Sequence, residues 1–484
     1  MSSVGLIRKL ASQTAIYGLS SMLGRFINFL LVIPHTQYLK TVNAYGDITT
    51  IFSFMAFFNV ILTYGMETSY FNFIRNGKDS KLVYSNAQKS ILFTTLIFSI
   101  FVFLFAAQCA EFIGYRGQTE YVYICLIFLV FDTLSALPFA KLRYEEKPLK
   151  YATIKLINIG VNISLNLLFL KATPPVFAQL DQVSLILIAN AIASFISFLI
   201  LAPIVFQINK PFDTTLFKEM LKYAWPLIFV GLAGIVNETL DRTLLKKLLP
   251  ESEGSYQNGI YGAFYKLTMV MTMFVQAFRF AAEPLFFKQK ESKDTRENYA
   301  LVMYWFIAVC TFIFLACVFF IEPLAHLFIK NQTFFENPDG LYIVPILLLA
   351  NMFLGIYYNL SVWYRFTNNT HLGAILAISG AALTIILNIA LIPVWGFVAC
   401  AWITLLVYAL MSIASYILGH RYYQIPYYLG KYVLLILISI SIWLISKEVI
   451  CQIHVKSVEI IIYLVLLALM LLIIWLLQPK RKIT

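Results

Sequence analysis

The sequence predicts an all-α polytopic membrane protein with about 14 transmembrane helices, and three observations support this prediction. First, the 484 residues are 60% hydrophobic and only 12% charged, whereas soluble domains are about 45–50% apolar and about 25% charged. Second, the apolar residues form runs of about 20, the length at which a helix crosses a bilayer. Third, Lys and Arg residues concentrate in alternate loops, as the positive-inside bias requires.

The apolar runs, bounded by charged, proline and glycine residues, predict fourteen helices in order along the chain. The predicted helices span residues 12–33, 43–66, 88–107, 121–140, 151–170, 183–206, 224–245, 259–281, 299–320, 341–362, 372–392, 396–418, 430–446 and 458–477. The fifth carries several asparagines and the seventh carries three charges near its end, so these two depart most from a uniformly apolar span.

The charges in the loops predict the orientation of the helices. An even number of helices puts both termini on one side of the membrane. The loops on that side, with both tails, hold 23 Lys and Arg residues, and the other loops hold nine. Both termini are therefore predicted to be cytoplasmic. The same bias accounts for the net charge of +12, so no nucleic-acid partner is expected.

Composition and motifs give no indication of a metal site, a cofactor or an enzyme. The six cysteines include no CxxC pair, and the five histidines lack the spacing of metal ligands. The sequence has no GxxxxGK[ST] motif for ATP and no paired carboxylates or Ser/His arrangement at a membrane edge. Arg8 and Lys9 mimic the start of a signal peptide, but Arg25 interrupts the apolar run, so a retained first helix is expected.

A weak internal repeat divides the chain. Asn43-Ala44-Tyr45-Gly46 opens the second predicted helix and Gly259-Ile260-Tyr261-Gly262 opens the eighth, and an acid, Glu67 or Glu283, stands 21 residues after the last glycine of each segment. The repeat predicts two parallel six-helix bundles that form a central cleft. The predicted domains are an N-terminal lobe at 1–206, a cytoplasmic linker at 207–218, a C-terminal lobe at 219–418 and two additional helices within 419–484.

These features together resemble the multidrug/oligosaccharidyl-lipid/polysaccharide exporter superfamily. The resemblance rests on the fourteen-helix plan, the six-plus-six duplication, the Tyr-Gly openings and the amphipathic start Leu6-Ile7-Arg8-Lys9-Leu10. Within the superfamily the chain most resembles bacterial polysaccharide-biosynthesis flippases of the O-antigen type. The resemblance implies export of a lipid-linked oligosaccharide across the bacterial cytoplasmic (inner) membrane by alternating access.

Arg25 is the first candidate site residue, because a charge inside a span is costly unless it faces a cavity or a partner. The repeat puts Glu238 at the corresponding position of the seventh helix. Two interpretations are open. The two side chains form an ion pair that locks one conformation, or Arg25 lines the cleft and binds a phosphate oxygen with its planar guanidinium.

Helix seven continues with Asp241 and Arg242, which share a face with Glu238 near the predicted periplasmic side. They are interpreted either as part of a gate or as side chains that reach toward the membrane surface.

Helix eight offers a second set of polar residues. Gln276, Arg279 and Glu283 lie on one stripe, and Lys266 lies nearer the periplasmic end. Lys266 and Arg279 would form a ladder of cations in the cleft. The alternative is an ion pair between Arg279 and Glu283.

The fifth helix carries a continuous polar stripe of Lys155, Asn158, Asn162 and Asn166. Amides that faced lipid would be unsatisfied, so the stripe is expected to face the cleft or another helix. Both roles stay open, as amides that bind sugar hydroxyls and as polar contacts that hold helices together.

Four charges recur in pairs at the predicted cytoplasmic helix ends: Glu67 with Glu283, and Arg143 with Arg365, the latter at a spacing of 222. They suit a gating role on the inward side, with salt bridges that break when the halves rock.

The leading hypothesis is a flippase for a polyprenyl-diphosphate-linked oligosaccharide. Expected partners are this substrate and membrane lipids. Coupling to H⁺ or Na⁺, the membrane potential and downstream consumption are the candidate energy sources, and a polysaccharide polymerase and assembly proteins are candidate protein partners. The alternatives are an ion-coupled multidrug exporter, a peptidoglycan lipid-precursor flippase of the same fold, and a membrane glycan polymerase or transferase.

Overall fold

The computed structural model describes residues 22–288, 293–367, 369–450 and 455–479, with the side chains of 280–288, 293–295, 365–366 and 449–450 left out. All regular elements in these ranges are α or 3-10 helices and none is a strand, which confirms the predicted all-α class. The amphipathic segment at Leu6 to Leu10, quoted above for the resemblance, lies outside the described residues.

The helices follow the predicted order. The first, α1, is described over 22–30, and it is followed by α2 (Val32–Tyr38), α3 (Val42–Thr63), α4 (Met66–Arg75), α5 (Ser80–Leu104), α6 (Ala106–Phe112), α7 (Thr119–Tyr144), α8 (Pro148–Lys171), α9 (Gln182–Val205) and α10 (Thr214–Leu248). The chain continues with α11 (Glu251–Leu267), α12 (Met269–Lys288), α13 (Lys293–Phe319), α14 (Ile321–Phe328), α15 (Asp339–Leu360), α16 (Val362–Phe366), α17 (Thr370–Tyr422), α18 (Leu429–Ile450) and α19 (Lys456–Leu477). Short 3-10 helices lie at Pro175–Phe177 and Gln332–Phe335.

In the described ranges, 11 helices are long and apolar enough to cross a membrane, which confirms a multi-pass membrane protein. The predicted helices at 372–392 and 396–418 lie in one element, α17, and the eighth is interrupted at Thr268 between α11 and α12. The first predicted helix begins outside the described residues. The number fourteen therefore stays a prediction.

Helices α5, α10 and α11 begin eight to ten residues earlier than the apolar runs indicated, and α5 begins at Ser80 rather than 88. Helix α10 begins at Thr214 rather than 224, because the Asp213 carboxylate accepts hydrogen bonds from the backbone of Thr215 and Leu216 and so caps it. Helix α11 begins at Glu251 rather than 259, with acidic residues in its first turn, where the helix dipole favours them. The first turns of α10 and α11 are polar, so a search for apolar runs misses them.

Gly396 explains how two predicted helices join within α17. Its φ of 56° and ψ of −140° are not helical and suit glycine alone. The Gln257 side-chain oxygen accepts a hydrogen bond from the Phe397 backbone at 2.9 Å, which satisfies a donor freed by the kink.

The chain forms two compact units. The first runs to Ala263 and includes Ile329–Phe334 and Thr384–Phe397, and the second contains Phe264–Phe328, Phe335–Leu383 and Val398–Thr484. A hydrophobic core of the first unit surrounds Tyr70 and Tyr84, which are almost fully buried. It also contains Met220 and Ala224 of α10. A core of the second unit surrounds Trp363. The division into lobes at 1–206 and 219–418 stays a prediction.

Candidate functional site

Within the first unit, the two repeat-related glycine segments, one near the start of α3 and one inside α11, meet at two glycines. A Cβ on Gly46 would lie 1.9 Å from the Ser255 carbonyl oxygen, and a Cβ on Gly259 would lie 2.2 Å from the Val42 carbonyl oxygen. Ser255 and Gly259 are four residues apart, so small residues recur on one face of α11 and let the backbones approach closely. Only hydrogen fits at either glycine without a shift of backbone.

A buried ion pair lies beside this contact. The Lys246 ammonium, at the end of α10, lies 3.4 Å from a carboxylate oxygen of Asp47 in α3 and donates to the Ser255 hydroxyl at 2.5 Å. It also lies 3.5 Å from the Glu251 carbonyl oxygen, so its three donors meet three oxygens. The Lys246 side chain is only 4% exposed and that of Asp47 is 21% exposed. Burial of a charge is tolerated here because each charge is paired and hydrogen-bonded.

Tyr115, in the loop between α6 and α7, completes the surroundings of Asp47. Its phenol donates to the same carboxylate at 3.0 Å, and Lys246 lies 4.7 Å from the centre of its ring. Burial, together with the charge of Asp47, raises the pKa of Tyr115 well above its usual range. The phenol therefore keeps its proton and remains a donor at physiological pH.

Three more bonds link the same helices. Asn258 donates to Thr50 at 2.6 Å and to the Arg242 carbonyl oxygen at 3.1 Å. Tyr261 donates to Asp241 at 2.5 Å, and Arg242 lies 3.2 Å from another oxygen of Asp241. We call this set the junction cluster; it comprises Asp47, Thr50, Tyr115, Asp241, Arg242, Lys246, Ser255, Asn258 and Tyr261.

The junction cluster joins the predicted first repeat to the predicted second repeat through polar bonds. Asp241 and Arg242, each with about a tenth or less of its side chain exposed, are held inside it rather than extended to a surface. Sequence reasoning missed Asp47, Lys246, Ser255 and Asn258. The available signal was the pair of repeated glycine segments, since Asp47 follows Gly46 and Asn258 precedes Gly259.

The side chains of Arg25 and Glu238 are not part of this cluster. Both side chains are exposed, and no ion pair joins the two in the part of the chain that the structure describes. The backbone carbonyl of Glu238 accepts a hydrogen bond from Arg242 at 2.6 Å. Arg25 is thus an accessible cation on an apolar helix.

The asparagine stripe of α8 makes contacts within the first unit. Asn158 donates to Ser197 at 3.0 Å and Asn162 donates to Asn190 at 3.0 Å, both on α9. Asn166 is fully buried and donates to Asn162. His35 of α2 lies 2.9 Å from the Asn166 side-chain oxygen. These partners favour the packing interpretation of the stripe over direct sugar binding.

Lys155 begins the stripe and has an aromatic and an acidic neighbour. Its ammonium lies 4.2 Å from the ring centre of Phe139, and it interacts electrostatically with Asp132 of α7. Sequence reasoning also missed Asp132, because a single acid in an apolar run gives no spacing pattern.

At the other end of α3, Glu67 of α4 and Arg143 of α7 form an ion pair, and the Arg143 guanidinium lies over the Phe71 ring. Both residues belong to the predicted first repeat, so this bond does not link the two repeats. The side chains of their predicted counterparts, Glu283 and Arg365, lie outside the described residues.

The remaining candidates belong to the second unit. Lys266 is half-buried near the end of α11, Gln276 is half-buried on α12, and Arg279 is exposed with its guanidinium 4.7 Å from the ring centre of Tyr358. The break at Thr268 separates Lys266 from the two α12 residues. Among the described residues, no group of three or more His, Cys, Asp or Glu side chains could hold a metal ion.

Residues 10–290 match the family described as "Polysaccharide biosynthesis protein". Among curated proteins, the chain is 23% identical over 201 residues to an uncharacterized membrane protein of Methanocaldococcus jannaschii. That alignment covers 42% of this chain, and the chain spans only 45% of the relative's length.

Solved structures share the fold. The lipid II flippase MurJ, in an inward closed conformation, matches with a TM-score of 0.73 over 95% of this chain and 98% of its own, at 14% identity. An inward-facing multidrug resistance MATE family transporter of the MOP superfamily matches with a TM-score of 0.60 over 84% of this chain and 97% of its own, also at 14% identity. The MATE multidrug transporter DinF-BH matches at 0.62 over 85% of this chain and 95% of its own, with 17% identity. The superfamily fold predicted from the sequence is confirmed.

Proposed function

Since the chain belongs to the polysaccharide biosynthesis protein family, we propose that it is a flippase that moves a polyprenyl-diphosphate-linked oligosaccharide from the inner to the outer leaflet. The observation that carries the proposal is the family match over residues 10–290 of a multi-pass membrane chain. The membrane is the bacterial cytoplasmic membrane, with both termini in the cytoplasm according to the positive-inside bias.

The exposed cations support an anionic substrate. Arg25 presents a planar guanidinium that forms two parallel hydrogen bonds with a phosphate, and Arg279 presents a second one. In this proposal each arginine is a separate contact for a phosphate of the substrate, Arg25 in the first unit and Arg279 in the second. Lys155 and Lys266, which are less exposed, add positive potential, and Gln276 contributes an amide for sugar hydroxyls.

The junction cluster is the outer gate in this proposal. Its ion pair and hydrogen bonds connect the predicted repeats at the end of α10, which the predicted topology puts on the periplasmic side. When the helices separate, water can replace these polar bonds at small net cost, since an intramolecular hydrogen bond contributes only about 1 kcal/mol. A polar junction is therefore easier to open and close repeatedly than an apolar core of similar area.

The test is to delete the gene from its host and to measure lipid-linked glycans by mass spectrometry. An impermeant probe determines in which leaflet each lipid-linked glycan lies. The proposal expects a complete lipid-linked repeat unit to accumulate in the inner leaflet, and the wild-type gene to reverse this. Accumulation of a peptidoglycan precursor instead would identify the other flippase activity. Unchanged lipid pools with increased sensitivity to cationic drugs would replace the proposal with a drug exporter.

A further inference from the structure

The first unit contains a large apolar cavity, and none of its lining residues belongs to the junction cluster. It has a volume of about 540 Å³ and is lined by side chains of α3, α5, α6 and α7, within the range of about 300–1,000 Å³ that is common for small-ligand sites. Five phenylalanines dominate the lining, namely Phe58, Phe98, Phe101, Phe105 and Phe112. Apart from Gln108 and the thiols of Cys109 and Cys125, the lining side chains are apolar.

The cavity is open to the lipid side rather than closed in the core. Phe101 is 54% exposed and Phe112 is 60% exposed. Because the protein is surrounded by hydrocarbon in its membrane, these two rings are exposed to lipid rather than to water. Since α5 and α7 are long and apolar enough to span the membrane, hydrocarbon fills an apolar opening beside them, because water there would lack hydrogen-bond partners.

A cation lies at the rim of the cavity. The Lys247 ammonium lies 3.8 Å from the ring centre of Phe112 and 5.7 Å from that of Phe54. Lys247 is exposed, and in the part of the chain described here no carboxylate forms an ion pair with it. It differs in this from its neighbour Lys246, which Asp47 neutralises. Lys247 lies in the last turn of α10, and the predicted topology puts that turn at the periplasmic end of the span, near the level of the lipid phosphates.

We propose that this cavity binds one acyl chain of an anionic membrane phospholipid whose phosphate contacts Lys247. The apolar lining accepts the chain, and the cation beside Phe112 selects the charge of the headgroup. The site is separate from the cations assigned to transport, so it holds whether or not the proposed flippase activity is correct.

The test measures lipid adducts by native mass spectrometry on the purified full-length protein. The added lipids are phosphatidylglycerol, which is anionic, and phosphatidylcholine, which has no net charge. We expect one phosphatidylglycerol per chain to bind in preference to phosphatidylcholine, in which the choline offsets the charge of the phosphate. K247Q should weaken the binding of phosphatidylglycerol by about fivefold and that of phosphatidylcholine by less. The matched control is K171Q, since Lys171 also lies over an aromatic ring, that of Tyr38 at 5.8 Å, but outside the cavity.

A second variant tests the cavity itself. Val102 lines it, so V102W fills it and should reduce the binding of both lipids. If V102W fails to fold, K247Q still tests the contact between Lys247 and the lipid headgroup, because Lys247 is exposed. Equal binding of the two lipids to the wild type, or identical effects of K247Q and K171Q, would overturn the proposal. The proposal would also be overturned if undecaprenyl phosphate displaced the bound phosphatidylglycerol and V102W abolished this displacement. The cavity would then be a site for the substrate's own chain.

Discussion

At the residue scale, the buried pair of Asp47 and Lys246 makes the sharpest prediction. D47N removes the charge that balances a lysine whose side chain is 4% exposed. We expect a loss of about 1–3 kcal/mol, the usual penalty for an unsatisfied buried polar group, seen as a lower melting temperature in detergent. K246M added to D47N should restore part of it, because the unpaired charge is then gone.

A solvent-exposed ion pair serves as the control for this experiment. Lys78 and Glu219 lie 3.7 Å apart with about half of each side chain exposed, and such pairs contribute little to stability. E219Q should leave the melting temperature unchanged within error. If D47N behaves like E219Q, the junction cluster does not hold the helices together.

Arg25 makes a second prediction at this scale, about the substrate. R25Q should reduce flipping by about 10- to 100-fold, the effect of losing charge-assisted bonds of about 1.5–3 kcal/mol. R25K should retain intermediate activity, because lysine keeps the charge but not the planar fork. The leaflet assay measures both, and R116Q, at an arginine whose side chain is 86% exposed in a loop, is the control. Full activity of R25Q would remove Arg25 from the binding site.

At the element scale, the contact of α3 with α11 depends on glycine. G46A would bring a Cβ to 1.9 Å from the Ser255 carbonyl oxygen, so the helices must separate. We expect a lower melting temperature and impaired transport. The control is G160A in the membrane helix α8, where a Cβ meets nothing within 4 Å. There alanine should be neutral or stabilise by up to about 1 kcal/mol through helix propensity. A stable, active G46A would refute the close approach.

The elements also show what the sequence could and could not predict. Apolar runs predicted the order of the helices and the membrane class, because the hydropathy of each segment depends only on its own residues. They missed the polar first turns of α10 and α11, which depend on a cap at Asp213 and on acids at a helix start. Charge patterns identified Asp241 and Arg242, but not Lys246 or Asp47. Lys246 and Asp47 are about 200 residues apart in sequence, and only the tertiary structure brings them together.

At the scale of the whole molecule, the proposed alternating access requires the junction cluster to open. The two repeats meet there through the side chains of Thr50 and Asn258, whose polar atoms lie 2.6 Å apart. A disulfide between T50C and N258C, in a background without other cysteines, would join α3 to α11 permanently. We expect it to abolish flipping, and a reductant to restore it.

A matched pair separates locking from any general effect of a cross-link. Asn158 and Ser197 are in contact at 3.0 Å, but both belong to the predicted first repeat, so a disulfide between N158C and S197C ties α8 to α9 without joining the repeats. Because a lobe that rocks as a body keeps its internal contacts, this second disulfide should leave flipping largely intact. Thiol counting by mass spectrometry verifies that each bond has formed. If the T50C–N258C protein flips at the wild-type rate while oxidised, then the junction stays closed throughout the cycle, and the path for the substrate must open elsewhere.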